Sequence, residues 1–235
     1  GDSTNPSRLH FSTIFTSGVI TWAGDFVDIE AEDGGGPITA LGKVPGYLLI
    51  FKERSLHRFN GFSTFPESLV QIGTPSQESV VMGAGLCAFY SNSNENAKGF
   101  YITNGGRPQP ISHDNTRPIK KWVDAIAAAQ EDDIAGWATD RYFAWSVGDV
   151  TVDGETYTNV VLRYNRILNQ WSVASYPTQF SVFANYLVSG VNTTVGGDDD
   201  GNVIRVDQPS TYTDTPGAGG TALAIPFKLR TQHET

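Results

Sequence analysis

The densest set of chemistry-bearing side chains in this chain is Asp198-Asp199-Asp200-Gly201-Asn202. Three adjacent carboxylates beside a glycine that permits a sharp turn match part of a calcium loop, so Asp198 and Asp200 are the metal-ligand candidates. An EF-hand would add a bidentate glutamate further on and flanking helices, and the sequence supplies neither. The competing reading is a solvated hairpin tip, since Asp and Gly both tolerate positive φ. His10, His57, His113 and His233 show no ligand spacing and no HExxH pattern. His57 alternates with apolar Leu56 and Phe59, which puts it at the surface or on a sheet face rather than in a catalytic site.

Paired carboxylates would serve a glycosidase, and an arginine cluster a sialidase. Asp25, Asp28, Glu30, Glu53, Asp140 and Asp149, with Arg54, Arg141 and Arg163, are the raw material. The S-x-D-x-G-x-T-W box of sialidase blades is missing, and Asn165 to Trp171 (NRILNQW) is a turn followed by a packing tryptophan. No G-x-S-x-G elbow, Walker loop or dinucleotide fingerprint occurs. Trp22, Trp122, Trp137, Trp145 and Trp171 could stack on sugars or bases, yet four of the five lie in strand patterns where packing is the default. The expectation is a non-enzymatic protein without a cofactor.

Composition narrows the class further. The 235 residues suffice for one all-β domain with a substantial core. With 25 Gly, 12 Pro and 11% aromatics, many short strands joined by tight turns are expected. Only 17% of residues are charged, too few for a long disordered tail. The net charge of −9 opposes non-specific nucleic-acid binding, which needs clustered Lys and Arg. Cys87 is the sole cysteine, so intrachain disulfides and cysteine zinc sites are excluded, and within GLCAFY it reads as a small buried hydrophobe. No run of 18 apolar residues is present to form a membrane-spanning helix. A start at Gly1, with Met82 the only methionine, is expected of a segment of a longer polypeptide.

The elements that must carry these side chains recur. Ile38 to Phe51, Val80 to Tyr90, Ile134 to Trp145 and Val182 to Val188 each open with a small-residue-rich apolar strand, the later ones following at intervals of 42, 54 and 48 residues. Periods of this size mark arrays of small sheets that cannot bury their apolar faces alone. Blades of four strands around an axis solve that problem, so the fold expected is an all-β propeller of about five (four to six) blades. The first full blade reads Ile38 to Leu41, Tyr47 to Phe51, Ser55 to Phe59 and Ser68 to Ile72, with Pro45-Gly46 turning the first pair. The second starts at Val80, has a polar tip at Ser91 to Lys98, and continues through Gly99 to Thr103 to a two-residue turn signal at Asn104-Gly105.

One helical insertion, residues 117–130, accounts for the longest interval. Ile119, Trp122, Val123 and Ile126 share a face over Ile119 to Gln130, and Pro118 suits the first turn. The third blade is expected at Ile134 to Ala138, Tyr142 to Val147, Tyr157 to Tyr164 and Ile167 to Val173, with a tip at Val152-Asp153-Gly154. The fourth begins near Phe180 and turns through Gly196 to Gly201 into Asn202 to Val206. A Pro/Gly/Thr stretch, Gln208 to Thr221, leads to a last strand, Leu223 to Arg230, which could complete one sheet with the first strands, Arg8 to Ile14 and Trp22 to Ile29. All 235 residues are thereby expected in a single propeller domain.

Three stretches together carry a resemblance. Arg8-Leu9-His10-Phe11-Ser12 with Trp22 and Phe26 to Ile29 resembles the opening of propeller domains in tailed-phage tail proteins. Ile38-Thr39-Ala40-Leu41 leading to Leu48 through Leu56 (LLIFKERSL) resembles their most recognisable blade. Gly201 to Arg205 with Ala224-Ile225-Pro226-Phe227 to Thr231 is similar to their closing segment. The family that it resembles most is the tail nozzle, or tail hub, of short-tailed phages, over roughly residues 8 to 231. That resemblance implies a structural virion protein: a homo-oligomeric ring below the portal and adaptor that extends the channel for genome ejection. It implies docking of fibres or spikes, and DNA passing through without sequence-specific binding. The exposed loops nominate interface candidates: Asn94 and Lys98 at the polar tip, Trp122 on the helix, and Thr211 and Tyr212 in the Pro/Gly/Thr stretch. Two other classes compete. One is a carbohydrate-binding or glycan-hydrolysing propeller at the host surface; the other is a WD-type adaptor, whose Gly-His and Trp-Asp dipeptides are missing.

Overall fold

The computed structural model describes residues 4–12, 26–29, 36–61, 65–93, 98–113, 119–188, 191–206, 213–214 and 223–224. The chain is all-β, built from antiparallel sheets with one short α-helix among the described residues, and it gathers into two compact units, Gly1–Ile111 and Ser112–Thr235.

In the first unit, β1 (Arg8–His10) pairs with β2 (Phe26–Asp28). A four-stranded meander follows: β3 (Ile38–Val44), β4 (Tyr47–Lys52), β5 (Leu56–Phe59) and β6 (Glu67–Val70), each hydrogen-bonded to the next. Val44 opposes Tyr47 directly, so Pro45-Gly46 is a two-residue turn, and Gly46 takes the positive φ of 83° that such a turn demands. A second four-stranded meander comprises β7 (Val81–Gly83), β8 (Leu86–Ser91), β9 (Gly99–Thr103) and β10 (Gln109–Pro110).

Strand β4 explains the stacking of these sheets. Its run YLLIFK has no polar face, the mark of a strand covered on both sides. Leu49 and Phe51 point one way, into a core with Cys87, Phe89 and Tyr101 of the second meander. Ile50 points the other way, joining Val27 and Ile29 beside β2. Lys52 follows on that side, fully buried, and its Nζ donates to the Ile29 carbonyl at 3.1 Å. The first strands of the two meanders also meet, the Lys43 amide of β3 donating to Met82 Sδ of β7 at 2.9 Å.

Asn104-Gly105 is not a two-residue turn. Ile102 opposes Gln109, so a wider loop joins β9 to β10. The Thr103 hydroxyl takes the Gly105 amide and donates to the Gly106 carbonyl, while Arg58 donates to the Gly105 carbonyl. Local side-chain bonds and a cross-sheet arginine thus override the dipeptide preference.

The second unit opens with α1 (Ile119–Asp124) and a single 3₁₀ turn, Ala128–Gln130. The continuous helix expected over 119–130 is broken at Ala127, whose ψ of 142° is extended. Ile119, Val123 and Ile126 are buried as their spacing requires, but the alanines beyond Ile126 offer nothing to pack, and so short a helix needs packing to persist.

The third meander is β11 (Ala135–Ala138), β12 (Tyr142–Val152), β13 (Glu155–Asn165) and β14 (Gln170–Ser175). Asp153 and Gly154 of the expected tip both take positive φ, whereas Val152 is the last residue of β12 and pairs with Glu155. Ile167 and Leu168 belong to the turn before β14 rather than to the strand. The fourth meander has three strands: β15 (Val182–Val188), β16 (Val191–Gly197) and β17 (Val203–Val206). Gly196 and Gly197 are strand residues, not the tip expected there. A Cβ on Gly196 would lie under 3.0 Å from the rings of Phe180 and Phe183, so the glycine is there to let aromatics approach the backbone.

Trp137, Ala144 and Val161 of the third meander share a core with Phe180, Val206, Phe183 and Ile204 on or beside the fourth. Again the first strands meet, Asn185 of β15 donating to the Ala138 carbonyl of β11 at 3.4 Å. The chain's outermost described strands find local partners: β1 pairs with β2, and β19 (Leu223–Ala224) pairs with β18 (Thr213–Asp214). Pairing between the first and last strands is not among the described pairs.

Candidate functional site

The acidic loop is a hairpin tip. The Asp198 amide donates to the Asn202 carbonyl at 3.1 Å and the Gly201 amide to the Asp198 carbonyl at 3.2 Å, closing the turn between β16 and β17. Asp198 Oδ1 accepts from the Asn202 amide at 2.8 Å; Oδ2 accepts from Asn202 Nδ2 and Thr178 Oγ1, both at 3.0 Å. Both carboxylate oxygens therefore face donors of the protein itself. Asp199 and Asp200 point to solvent. Among the described residues, no three His, Cys, Asp or Glu side chains converge on a point that could hold a metal.

Partial burial would raise the Asp198 carboxyl, but hydrogen bonds from Asn202, Thr178 and the Asp200 backbone outweigh it and hold the group below its usual 3.8. A depressed carboxyl contributes stability above its ordinary titration range and loses it as pH falls through the lowered value. Asp198→Asn should therefore flatten the acid limb of a pH–stability curve below about pH 4. Asp198→Ala should speed hydrogen exchange at the Asn202 amide by up to about tenfold, measured by NMR.

The nominated carboxylates do not form a pair. Asp25 and Glu30 lie outside the described residues. Glu53 is exposed on the β4–β5 turn. Asp28 is held by Arg8, whose Nε and Nη2 donate to its two oxygens at 2.8 and 3.1 Å, and this hydrogen bonding keeps its carboxyl low. Asp140 sits in the β11–β12 turn, whereas Asp149 lies about 23 Å further along β12 at a strand's rise per residue. Glycosidase carboxyls work at about 5–10 Å. Arg163 is committed to packing: it donates to the Tyr176 hydroxyl and lies 5.7–5.9 Å from the ring centroids of Trp137, Tyr142 and Tyr176.

His57 is fully buried, which corrects the surface placement; the sheet-face placement stands, since it opposes Ile50 on the side facing β2. Its Nε2 lies 3.0 Å from Ser55 Oγ, a nucleophile–base distance. Both side chains are fully buried, so the pair is out of a substrate's reach. Cys87 is fully buried as its apolar run predicts, and burial pushes its thiol up to about 12. Labelling of Cys87 by iodoacetamide at neutral pH should be about a thousandfold slower in the native protein than in denaturant.

Among the tryptophans, Trp22 lies outside the described residues. Trp137 and Trp145 are buried, and Trp171 packs 6.1 Å from Trp145 and 5.2 Å from Tyr164. Of the interface candidates, Asn94, Thr211 and Tyr212 lie outside the described residues. Lys98 is half-buried, directly before β9. Trp122 is half-buried against Tyr157, ring centroids 4.9 Å apart, and the neighbouring Lys121 reaches Asp153. The helix therefore clasps the β12–β13 hairpin of its own unit.

A surface that sequence reasoning passed over lies at the opposite end of that unit. Ile167 and Leu168 are 66% and 62% exposed on the β13–β14 turn. Asn165 Oδ1 accepts both their amides at 3.0 Å, and Arg166 donates to the Asp140 carbonyl, so the turn is firmly built. Asparagines at both corners of NRILN were the available signal. No protein-family model matches the chain, and no curated protein is similar to it in sequence.

Proposed function

We propose that the chain is one propeller of about five blades with a structural role in a phage tail, as a nozzle or hub ring below the portal and adaptor. The reading is carried by one observation. Within each unit, two small antiparallel meanders pack face to face with their first strands side by side, β3 with β7 and β11 with β15. Blades around an axis have this geometry, with their first strands nearest that axis. The likeness to phage tail propellers in the opening, the LLIFKERSL blade and the closing segment supplies the biological setting.

In this role the protein works by shape and charge and carries no reaction. Copies form a homo-oligomeric ring in the virion, and DNA passes through without sequence-specific contacts. A chain of net charge −9 suits that passage, because an acidic wall repels phosphates where a basic one would bind and stall them. Loops on rigid sheets offer docking sites for fibres or spikes. Native mass spectrometry of the purified protein tests the reading. A stable homo-ring is expected; a monomer that cleaves glycans would overturn it.

A further inference from the structure

We propose that copies of this chain join through unlike ends of the 112–235 unit, the Ile167-Leu168 turn of one copy seating against the Asp199-Asp200 tip of the next. The inference rests on the ring reading above and names the contact that builds the ring.

The unit has two chemically different ends. β11 and β13 run toward one end, and the turns there are 139–141 and 166–169. β15 runs the same way: Phe180, just before it, bonds Ser146 opposite the start of β11, and Asn185 within it donates to the carbonyl of Ala138, the last residue of β11. At the other end lie the Asp153-Gly154 turn and the Asp198-to-Asn202 turn; the Phe180 amide donates there to Ser146 Oγ at 3.2 Å, opposite the start of β11.

Charge divides along the same axis. The second end bears the exposed Asp132, Asp133, Asp149, Asp199 and Asp200, together with Asp153, which is paired with Lys121. The first end bears Arg141 and Arg166 around Ile167 and Leu168, with Asp140 the only exposed acid on these two turns. Two neighbouring aliphatics more than 60% exposed, on a turn held by four hydrogen bonds, make a preformed apolar knob with a basic rim. Its electrostatic complement is an acidic surface, and each further copy of the chain presents one at its far end. Pairing of unlike ends is heterologous, and such contacts close into a ring when the rotation between copies closes.

The test uses two double variants of the full chain. Ile167→Asp with Leu168→Asp disables the first end, and Asp199→Lys with Asp200→Lys disables the second. All four side chains are exposed, so circular dichroism and melting should match the unsubstituted protein. By native mass spectrometry and analytical ultracentrifugation, each variant alone should self-associate about thirtyfold more weakly. Mixed together, the two should form a heterodimer that stops at two chains, because only one intact pair of ends remains. A ring that persists unchanged in both variants would overturn the contact while leaving the ring reading standing. So would a mixture that yields no heterodimer, or one that grows past two chains. An unsubstituted protein that stays monomeric, or that binds anionic vesicles without self-association, would overturn the ring reading and this contact together.

Discussion

Replacing Phe51 with alanine is expected to cost about 3–5 kcal/mol of unfolding free energy, measured by urea denaturation. Phe51 is fully buried where the first meander meets the second, its ring 4.8 Å from that of Phe89 in an edge-on arrangement. Phe89 stacks in turn on Tyr101, centroids 5.6 Å apart. Truncation removes the apolar area and leaves a void between two sheets whose backbones are each fixed by their own hydrogen bonds, so collapse into it is limited. A cost below about 1 kcal/mol would mean that the two sheets do not depend on each other for burial, and the stacked arrangement would fail with it.

The second large effect is expected at Lys52. A fully buried ammonium is costly unless its protons are used, and one of them goes to the Ile29 carbonyl. That bond ties the segment after β2 to the end of β4, on the face where Ile50 already meets Val27 and Ile29. Lys52→Met keeps the length of the side chain and removes the donor, and should cost about 1.5–3 kcal/mol. Lys52→Ala adds a cavity and should cost about 2 kcal/mol more. A neutral Lys52→Met variant would show that packing alone holds this corner. The second variant separates the two contributions, because a cavity cost would remain even if the donor proved dispensable.

The strands whose two-residue turns and apolar runs agree were legible from the amino-acid order. Ile38 to Phe59 shows this, where Pro45-Gly46 fixes the register and LLIF permits no solvent face. The failures have physical causes. β16 was hidden because Val191–Gly197 ends in a glycine pair that reads as a turn, whereas Gly196 serves the close approach of Phe180 and Phe183. The helix ended early because alanines have good local propensity but no apolar mass to dock. Ile167 and Leu168 resemble the start of a strand by composition, and only the flanking asparagines show that they crown a turn.

The candidate site was legible in part. The Asp and Gly of Asp198 to Asn202 carry a hairpin-tip signal, but a linear sequence could not tell that Thr178 would supply a further donor from 20 residues away. His57 looked peripheral because alternation locates a face without saying what covers it; β2 and its neighbours do so. The polarity of the second unit was invisible for the same reason. Asp132, Asp153 and Asp200 are far apart in the chain, and only the up-and-down course of the strands gathers them at one end.

The central claim is that small twisted sheets are arrayed about a common axis and that this shape is the function. Cryo-electron microscopy of the purified assembly tests it most directly. The account predicts a ring of identical copies, each with about five blades whose first strands face that copy's own axis. Sheets stacked as a two-layer sandwich with no common axis, or a deep cleft in which two carboxyls converge, would contradict it.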